Sequence, residues 1–275
     1  MTAALYPQTG LRACARRVRA MVRRHAYLLL RSWPRLLSTM YYPTVTMILW
    51  AFITVYLRPT ASFLHDAPGF FIGAVLLWDV LYRGQLGVSV TFIEEMYARN
   101  LGNLFVSPLR LGEFIAGQLA LSVVRALIGV GGACLFAWLL FRYSIFSFGF
   151  PLIAFFVLLI GFGWAIGLAV SSIILRAGLG AEELAWAAIF LVAPVSGVYY
   201  PIAVLPPWLQ AIAAIIPSAH VFEGMRALMN TGAILWGELA VAFGLNVVWL
   251  AIAGLVFARQ FRQARLRGAL LNVGE

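Results

Sequence analysis

Residues 194–229 decide the fold of this chain and read PVSGVYYPIAVLPPWLQAIAAIIPSAHVFEGMRALM. Five prolines interrupt this apolar stretch, at Pro194, Pro201, Pro206, Pro207 and Pro217. The pieces between them are far shorter than the roughly 20 apolar residues that a membrane-spanning helix needs. Backbone that is broken at membrane depth persists only where protein or a water-filled path satisfies its polar groups. The stretch therefore predicts a re-entrant helical hairpin at 201–230, and a loop lying on the outer membrane surface is the alternative.

The composition of the whole chain is that of an integral membrane protein. Of its 275 residues, 63% are hydrophobic and only 11% are charged, which is too little polar surface for a soluble domain. The net charge is +10, and the 20 basic residues are all arginine. A phosphate-binding loop of the G-x-x-x-x-G-K-[ST] type requires a lysine, so this chain cannot form one. If a nucleotide drives its work, another polypeptide binds that nucleotide.

The residues that could carry enzymatic or metal chemistry are scattered. Cys14 and Cys134 are too few and too differently placed for a disulfide framework. The histidines His25, His65 and His220 lie in separate segments, and neither an H-E-x-x-H nor a G-x-S-x-G motif is present. The sequence therefore predicts a chain that is not an enzyme and holds neither a metal nor a cofactor of its own.

The first 38 residues predict a basic amphipathic helix. They contain eight arginines, most of which fall opposite an apolar stripe when plotted at about 100° per residue. The stripe consists of Leu11, Val18, Val22, Leu29 and Trp33. We expect this helix to lie along the cytoplasmic membrane surface, with its arginines toward anionic lipid headgroups or a cytoplasmic partner. A nucleic-acid partner is not expected, because the stripe runs straight into a membrane span.

Six apolar segments follow between residues 39 and 258. They are predicted at about 40–57, 69–92, 113–141, 148–174, 184–194 and 237–258. An even number of spans places both termini on one side of the membrane. Fifteen arginines fall on that side and three on the other, so the positive-inside rule predicts that both tails, including 259–275, are cytoplasmic. The chain is therefore expected in the cell membrane as a multi-pass protein.

Charged residues inside the second and third spans predict an intramembrane network. Asp79 and Arg83 are one helical turn apart and can pair on one face. Arg125 reaches a similar depth on the antiparallel third span. Charges at that depth are costly and usually face a protein interior. We expect Asp79 to bridge Arg83 and Arg125 and so to lock the two spans together; contact with substrate is the alternative.

Two segments resemble the membrane subunits of type-2 ABC exporters, the group that includes drug, lipo-oligosaccharide and polysaccharide exporters. The first runs from Glu94-Glu95 through Asn103-Leu-Phe-Val-Ser-Pro-Leu to Gly117. The second contains Pro194-Val-Ser-Gly-Val-Tyr-Tyr-Pro, Ile216-Pro-Ser-Ala-His and Glu223-Gly-Met-Arg. With the predicted spans and the basic N-terminal helix, the likeness covers essentially the whole chain.

This resemblance implies a half-transporter that works with a second permease copy and with cytoplasmic ATPase subunits, which bind the ATP and Mg²⁺. The polar hinge at 93–112 would be a coupling helix that seats in a groove of the ATPase. Its implied contact residues are Glu94, Glu95, Arg99 and Asn100, and a merely solvated loop is the alternative.

The resemblance also implies that the outward hairpin shapes an exit gate. The candidate gate residues are Pro194, Tyr199, Tyr200, Pro201, Pro206, Trp208, Pro217, His220, Glu223 and Arg226. Glu223 and Arg226 are one turn apart and are predicted to pair. The aromatic residues either stack on departing cargo or belong to the interfacial aromatic belt of the membrane domain.

Taken together, the sequence predicts an all-α integral membrane protein with six transmembrane helices, a cytoplasmic amphipathic helix, a cytoplasmic coupling helix and an outward re-entrant hairpin. The expected function is the permease half of an ATP-driven exporter that moves an amphipathic or lipid-linked substrate out of the cytoplasm or inner leaflet. An ion- or proton-coupled secondary transporter is the alternative, because broken helices also mark that class. The cargo, and the choice between homodimer and heterodimer, stay open.

Overall fold

A computed structural model describes residues 10–57 and 69–268, except for the side chains of residues 35, 36, 57, 105 and 106. The ends of both predicted tails and the loop that contains His65 lie outside these residues. The described residues form α-helices and short 3₁₀ turns without a strand, which confirms the all-α prediction. The helices are α1 Leu11–Leu30, α2 Trp33–Leu57, α3 Phe70–Tyr97, α4 Leu101–Val106, α5 Leu111–Phe141, α6 Pro151–Ala177, α7 Glu183–Val192, α8 Pro207–Ala213, α9 Pro217–Thr231 and α10 Trp236–Leu266.

Four of the helices in the described ranges are long and apolar enough to cross a membrane, namely α3, α5, α6 and α10. They correspond to the second, third, fourth and last predicted spans, and they make the chain a multi-pass membrane protein. The first predicted span lies in α2, which has 25 residues.

The fifth predicted span, at about 184–194, corresponds to the short helix α7. Helix α7 has ten residues and is about 15 Å long, half of a bilayer core. It ends because Pro194 lies in a 3₁₀ turn at Ala193–Val195, and Gly197 then takes a positive φ of 66°. The chain therefore turns into the hairpin before a crossing by α7 alone is complete.

Helix α3 occupies the centre of the bundle and packs against α6, α5, α2 and α7. Its contact with α6 is close enough to require glycine. A Cβ on Gly163 would lie 2.4 Å from the Leu81 carbonyl oxygen, and one on Gly167 would lie 2.8 Å from the Gln85 carbonyl oxygen. Such small residues let two helix backbones approach closely inside a membrane.

Helix α1 docks on a face that differs from the predicted apolar stripe. Its buried residues are Ala13, Met21, His25 and Leu29, and it packs against α5 and α2. Leu11, by contrast, is 90% exposed. The docking face also carries Arg17, so the helix is held by polar side chains and not by its most apolar side. The face on which α1 docks therefore depends on the charged side chains of α3 and α5 that its polar residues contact.

The hairpin consists of α8 and α9, joined by residues 214–216. Helix α9 packs against α10, α6 and α3 and buries Val221, Phe222 and Met225. Helix α8 is mostly exposed, and Trp208 on it is 65% exposed. One arm of the hairpin is thus held among the spanning helices, while the other arm contacts the 3₁₀ turns at Ala193–Val195 and Ile202–Val204.

Candidate functional site

The end of α3 carries a buried carboxylate that holds α1 in place. Glu95 is 1% exposed. Its Oε1 lies 2.8 Å from Nη1 of Arg24 and 2.9 Å from Nε2 of His25, and its Oε2 accepts a hydrogen bond of 2.7 Å from Asn100. Because a buried charge is tolerated only where it is paired and hydrogen-bonded, these three donors explain how Glu95 can be buried. We call Glu95, Arg24, His25 and Asn100 the inner clasp.

A second ion pair joins α1 to the start of α5. Arg17 binds Glu113 in a two-pronged arrangement, with Nε donating to Oε2 at 2.7 Å and Nη2 donating to Oε1 at 2.5 Å. The backbone N–H of Arg110 also donates to Glu113, at 2.9 Å. Hydrogen bonding to this carboxylate raises the pKa of Arg17, and it also raises the pKa of the nearby Cys14 thiol. Helix α1 is therefore fastened to both helices that flank the hinge.

Of the four predicted coupling contacts, Arg99 is the one that is fully exposed. It has a positive φ of 49° and forms the turn between α3 and α4. Glu94 and Asn100 are half-buried, and Glu95 is turned inward to the clasp. Glu95 therefore pairs within the chain, and its predicted contact with an ATPase stays a prediction. The sequence did not single out Arg17, Arg24 and His25 as site residues. From the sequence alone, the polar face of α1 has the pattern of a solvent-exposed face, because the two carboxylates that it contacts lie far away in the chain.

The predicted intramembrane network is divided into two pairs. Nε of Arg83 lies 2.5 Å from Oδ2 of Asp79. The same guanidinium fills the space beside Gly129 of α5, where a Cβ would lie 2.2 Å from Nε. Arg125 takes a different partner from the predicted one, since its Nη2 lies 3.5 Å from Oε2 of Glu94. The sequence predicted Asp79 as the partner of Arg125 because the two residues lie at a similar depth. The rotation of α5 about its axis instead directs Arg125 toward the end of α3.

Helix α3 is also tied to α7, which leads into the hairpin. The Tyr97 hydroxyl donates a hydrogen bond to Glu182, the residue just before α7. Deeper in the bundle, Nε2 of Gln85 donates to the Ala185 carbonyl oxygen at 2.8 Å. The hinge side of α3 and the helix before the hairpin are thus joined at two levels.

Aromatic rings stack between α2, α3 and the segment after α7, at the end of α3 opposite the hinge. The Trp50 ring stacks on Phe71 with centroids 5.4 Å apart and on Tyr199 with centroids 4.5 Å apart. Tyr200 donates a hydrogen bond of 2.8 Å to the Pro194 carbonyl oxygen, which fixes the turn that carries both tyrosines. We call Trp50, Phe71 and Tyr199 the outer stack.

The two residues that the sequence predicts to pair in the hairpin do lie together. Nη1 of Arg226 is 2.8 Å from Oε1 of Glu223. Glu223 also accepts the Ile202 backbone N–H at 2.8 Å, and Arg226 donates to the Gly197 carbonyl oxygen at 2.7 Å. The pair therefore fastens α9 to the loop at 197–202, where backbone polar groups have no helical partners.

His220 fastens the same helix to α10. Its Nδ1 lies 2.6 Å from Oε2 of Glu238, and its Nε2 lies 2.9 Å from the Ala214 carbonyl oxygen. Trp208 faces outward on α8, a position that fits an interfacial aromatic belt. Pro206 and Pro217 stand at the starts of α8 and α9, and Pro201 precedes the 3₁₀ turn Ile202–Val204.

Within the described residues, no group of three histidine, cysteine, aspartate or glutamate side chains is arranged to hold a metal ion.

A charged hinge at one end of a helical membrane bundle, linked through its central helices to a proline-rich hairpin, fits the membrane subunit of a transporter. A family model described as ABC-2 type transporter matches residues 16–230. This match covers more than half of the chain, so the chain belongs to the ABC-2 type transporter family and is a permease subunit, which confirms the resemblance. A search of curated proteins finds no match. Family membership implies an ABC ATPase subunit as partner, and no ATPase domain is seen in this chain.

Proposed function

We propose that this permease is one half of an ATP-driven exporter and moves an amphipathic or lipid-linked molecule out of the cytoplasm or inner leaflet. The observation that carries the proposal is the continuous set of contacts from the hinge at Arg99 through α3 and α7 to the hairpin. Energy that enters at the hinge has a path through packed helices to the opposite end of the molecule.

The proposed topology has six crossings with both termini in the cytoplasm. Helices α2, α3, α5, α6 and α10 cross singly, and α7 together with the hairpin supplies the fifth crossing. The distribution of arginine supports this orientation, because α1, the α3–α5 hinge and the end of α10 are rich in arginine.

The hinge surface supports contact with an ATPase. Tyr97, Arg99, Asn103 and Arg110 are exposed around α4, which has six residues. A short helix that projects from two long spanning helices is suited to seat in a groove of a partner. Movement of that partner would then displace the ends of α3 and α5 together, because α1 holds both.

A second permease copy is supported by the outward face of α2. This face carries the exposed aromatic and aliphatic side chains of Tyr41, Tyr42, Leu49, Phe52 and Tyr56. In a two-chain exporter these residues would meet the partner copy, and the cargo would pass along the seam. Closing the ATPase dimer would rotate the two copies as rigid bodies about that seam.

Co-purification tests this function. The tagged permease should bring down an ABC ATPase from its native membrane, and Arg99→Glu should reduce the recovered ATPase severalfold. The control is Arg19→Glu, which changes the same charge on the exposed side of α1, and it should recover the ATPase as the wild type does. Recovery that is equal for wild type and Arg99→Glu would remove the hinge from the ATPase contact. Uphill transport driven by an ion gradient without ATPase would instead support secondary transport.

A further inference from the structure

A cavity between α3, α5 and α6 lies apart from the hinge, the outer stack and the α2 face. Its volume is about 550 Å³, and it is open on one side, where its lining residues Leu135, Trp138 and Phe146 are exposed. This volume falls within the roughly 300–1,000 Å³ that is typical of small-molecule sites. Its lining includes Leu77, Val80, Val130, Cys134, Trp138 and Phe156. We call this space the lateral groove.

The three helices that form the lateral groove are all candidate membrane spans, so its opening faces the lipid phase. An apolar groove of this shape in a membrane accepts a hydrocarbon chain without loss of hydrogen bonds. Ser144, at the end of the groove nearest the α5–α6 loop, contributes its one hydroxyl-bearing side chain among the described lining residues. The long apolar part and the polar end together have the layout of a lipid tail and its head.

A positive charge stands at that polar end. Arg142 follows the last residue of α5 in a left-handed conformation, with φ of 53°. Its guanidinium carbon lies 5.4 Å from the centre of the Trp138 ring, which lines the groove. The Arg142 side chain is exposed, and no carboxylate among the described residues pairs with it. Trp138 thus orients a cation that no described carboxylate pairs with, at the mouth of an apolar groove.

We propose that the lateral groove binds one acyl chain of a membrane phospholipid, whose phosphate is bound by Arg142. The outer-leaflet position of this lipid rests on the proposed topology, whereas the binding itself requires neither the ATPase nor transport. The phosphate would pair with the Arg142 guanidinium. The acyl chain would cover apolar surface that the neighbouring helices leave exposed.

Native mass spectrometry of the purified, delipidated permease tests this site with two probes, dioleoyl phosphatidylglycerol and dioleoylglycerol, which has the same chains without phosphate. Gly131 lines the groove, and a Cβ there would meet no atom within 4 Å, so Gly131→Leu fills the groove without a clash at its first carbon. Gly244→Leu on α10 is the matched control, since a Cβ there also meets nothing within 4 Å. Gly131→Leu should weaken phosphatidylglycerol binding about tenfold, equivalent to roughly two buried methylene groups, and Gly244→Leu should leave it unchanged.

Arg142→Asn tests the headgroup contact while keeping a residue type that tolerates the left-handed conformation. It should weaken phosphatidylglycerol binding about threefold and leave dioleoylglycerol binding unchanged. Equal phosphatidylglycerol binding by wild type and Gly131→Leu would overturn the proposal. A Gly131→Leu protein that keeps its lipid but loses a dimer mass would assign the groove to a second copy instead. An equal loss of both probes in Arg142→Asn would overturn the phosphate contact.

Discussion

His25 of α1 and Glu95 of α3 lie 2.9 Å apart, from Nε2 to Oε1, and both side chains are almost completely buried. The other ring nitrogen of His25 lies 3.0 Å from the Met21 carbonyl oxygen. A helix that composition alone would place on the membrane surface is thus fixed at the root of the hinge. The Glu95 carboxylate therefore couples the position of α1 to the position of the hinge.

Removing this carboxylate should destabilise the protein. Glu95→Ala leaves the partly exposed Arg24 and the buried His25 without their shared partner, and a buried polar group that loses its hydrogen bond costs about 1–3 kcal/mol. We expect a clearly lower melting temperature in detergent, measured by tryptophan fluorescence. Arg19→Ala, on the exposed side of α1, should change the free energy of unfolding by less than about 0.5 kcal/mol. A Glu95→Ala protein that melts like the Arg19→Ala control would refute the inner clasp.

Loss of the second pair should loosen α1 without unfolding the bundle. Arg17→Ala removes both hydrogen bonds to Glu113, while Glu113 keeps the Arg110 N–H. Amide hydrogen exchange should become faster in residues 11–20 and stay unchanged in α6, because local opening follows the loss of local contacts. The double change Arg17→Glu with Glu113→Arg should restore part of the protection. Fast exchange throughout the bundle would instead show that the pair supports the whole fold.

The pairs within the membrane make a prediction about assembly. Asp79→Ala leaves Arg83 uncompensated at a depth where an unpaired charge costs about 3 kcal/mol, so the yield of folded protein in the membrane should fall sharply. Removing both charges, in Asp79→Ala with Arg83→Ala, should recover much of that yield. A double variant that is produced no better than Asp79→Ala would contradict the pairing.

Variants of Arg125 distinguish the observed pairing with Glu94 from the pairing with Asp79 that membrane depth predicts. In double-mutant cycles, the effect of Arg125→Ala on thermal stability should couple to Glu94→Ala and be additive with Asp79→Ala. Coupling to Asp79, with additivity for Glu94, would restore the bridge predicted from sequence.

The outer stack should hold the hairpin closed. Trp50→Ala removes two stacked ring contacts, each contributing about 0.5–1.5 kcal/mol beyond area burial. Hydrogen exchange at residues 196–206 should become faster, while Tyr199→Phe, which keeps the ring, should exchange like the wild type. Trp208→Ala on exposed α8 is the control and should leave this segment protected. Unchanged hydrogen exchange in Trp50→Ala would contradict this role of the outer stack. It would show that the hydrogen bonds of Tyr200, Glu223 and Arg226 are enough to hold residues 196–206 in place.

The spanning helices could be predicted because apolar runs of sufficient length leave little choice in a membrane. Helices α3, α5, α6 and α10 appear where hydrophobicity placed them, and the prolines correctly predicted an end to regular helix near Pro194. The hairpin pair Glu223–Arg226 also followed from helical spacing alone. These features depend on local sequence.

Features that depend on how one helix is turned toward another could not be predicted. The docking face of α1 contains Arg17 and His25, whose charges look unsuited to burial until Glu113 and Glu95 are placed opposite them. The partner of Arg125 depends on the rotation of α5, which depth does not determine. The burial of Glu95 depends on both, so its pairing with α1 could not be predicted from the sequence.

The central claim is that an ATPase drives the outer hairpin through the hinge. Its most direct test is a fluorophore on Val204→Cys, an exposed hairpin position, in a protein with Cys14→Ser and Cys134→Ser, reconstituted in liposomes. The account predicts that ATP changes the fluorescence only when the ATPase partner is bound, and that Arg99→Glu abolishes the change. The same change in the permease alone under an ion gradient, or none while the bound partner hydrolyses ATP, would contradict it.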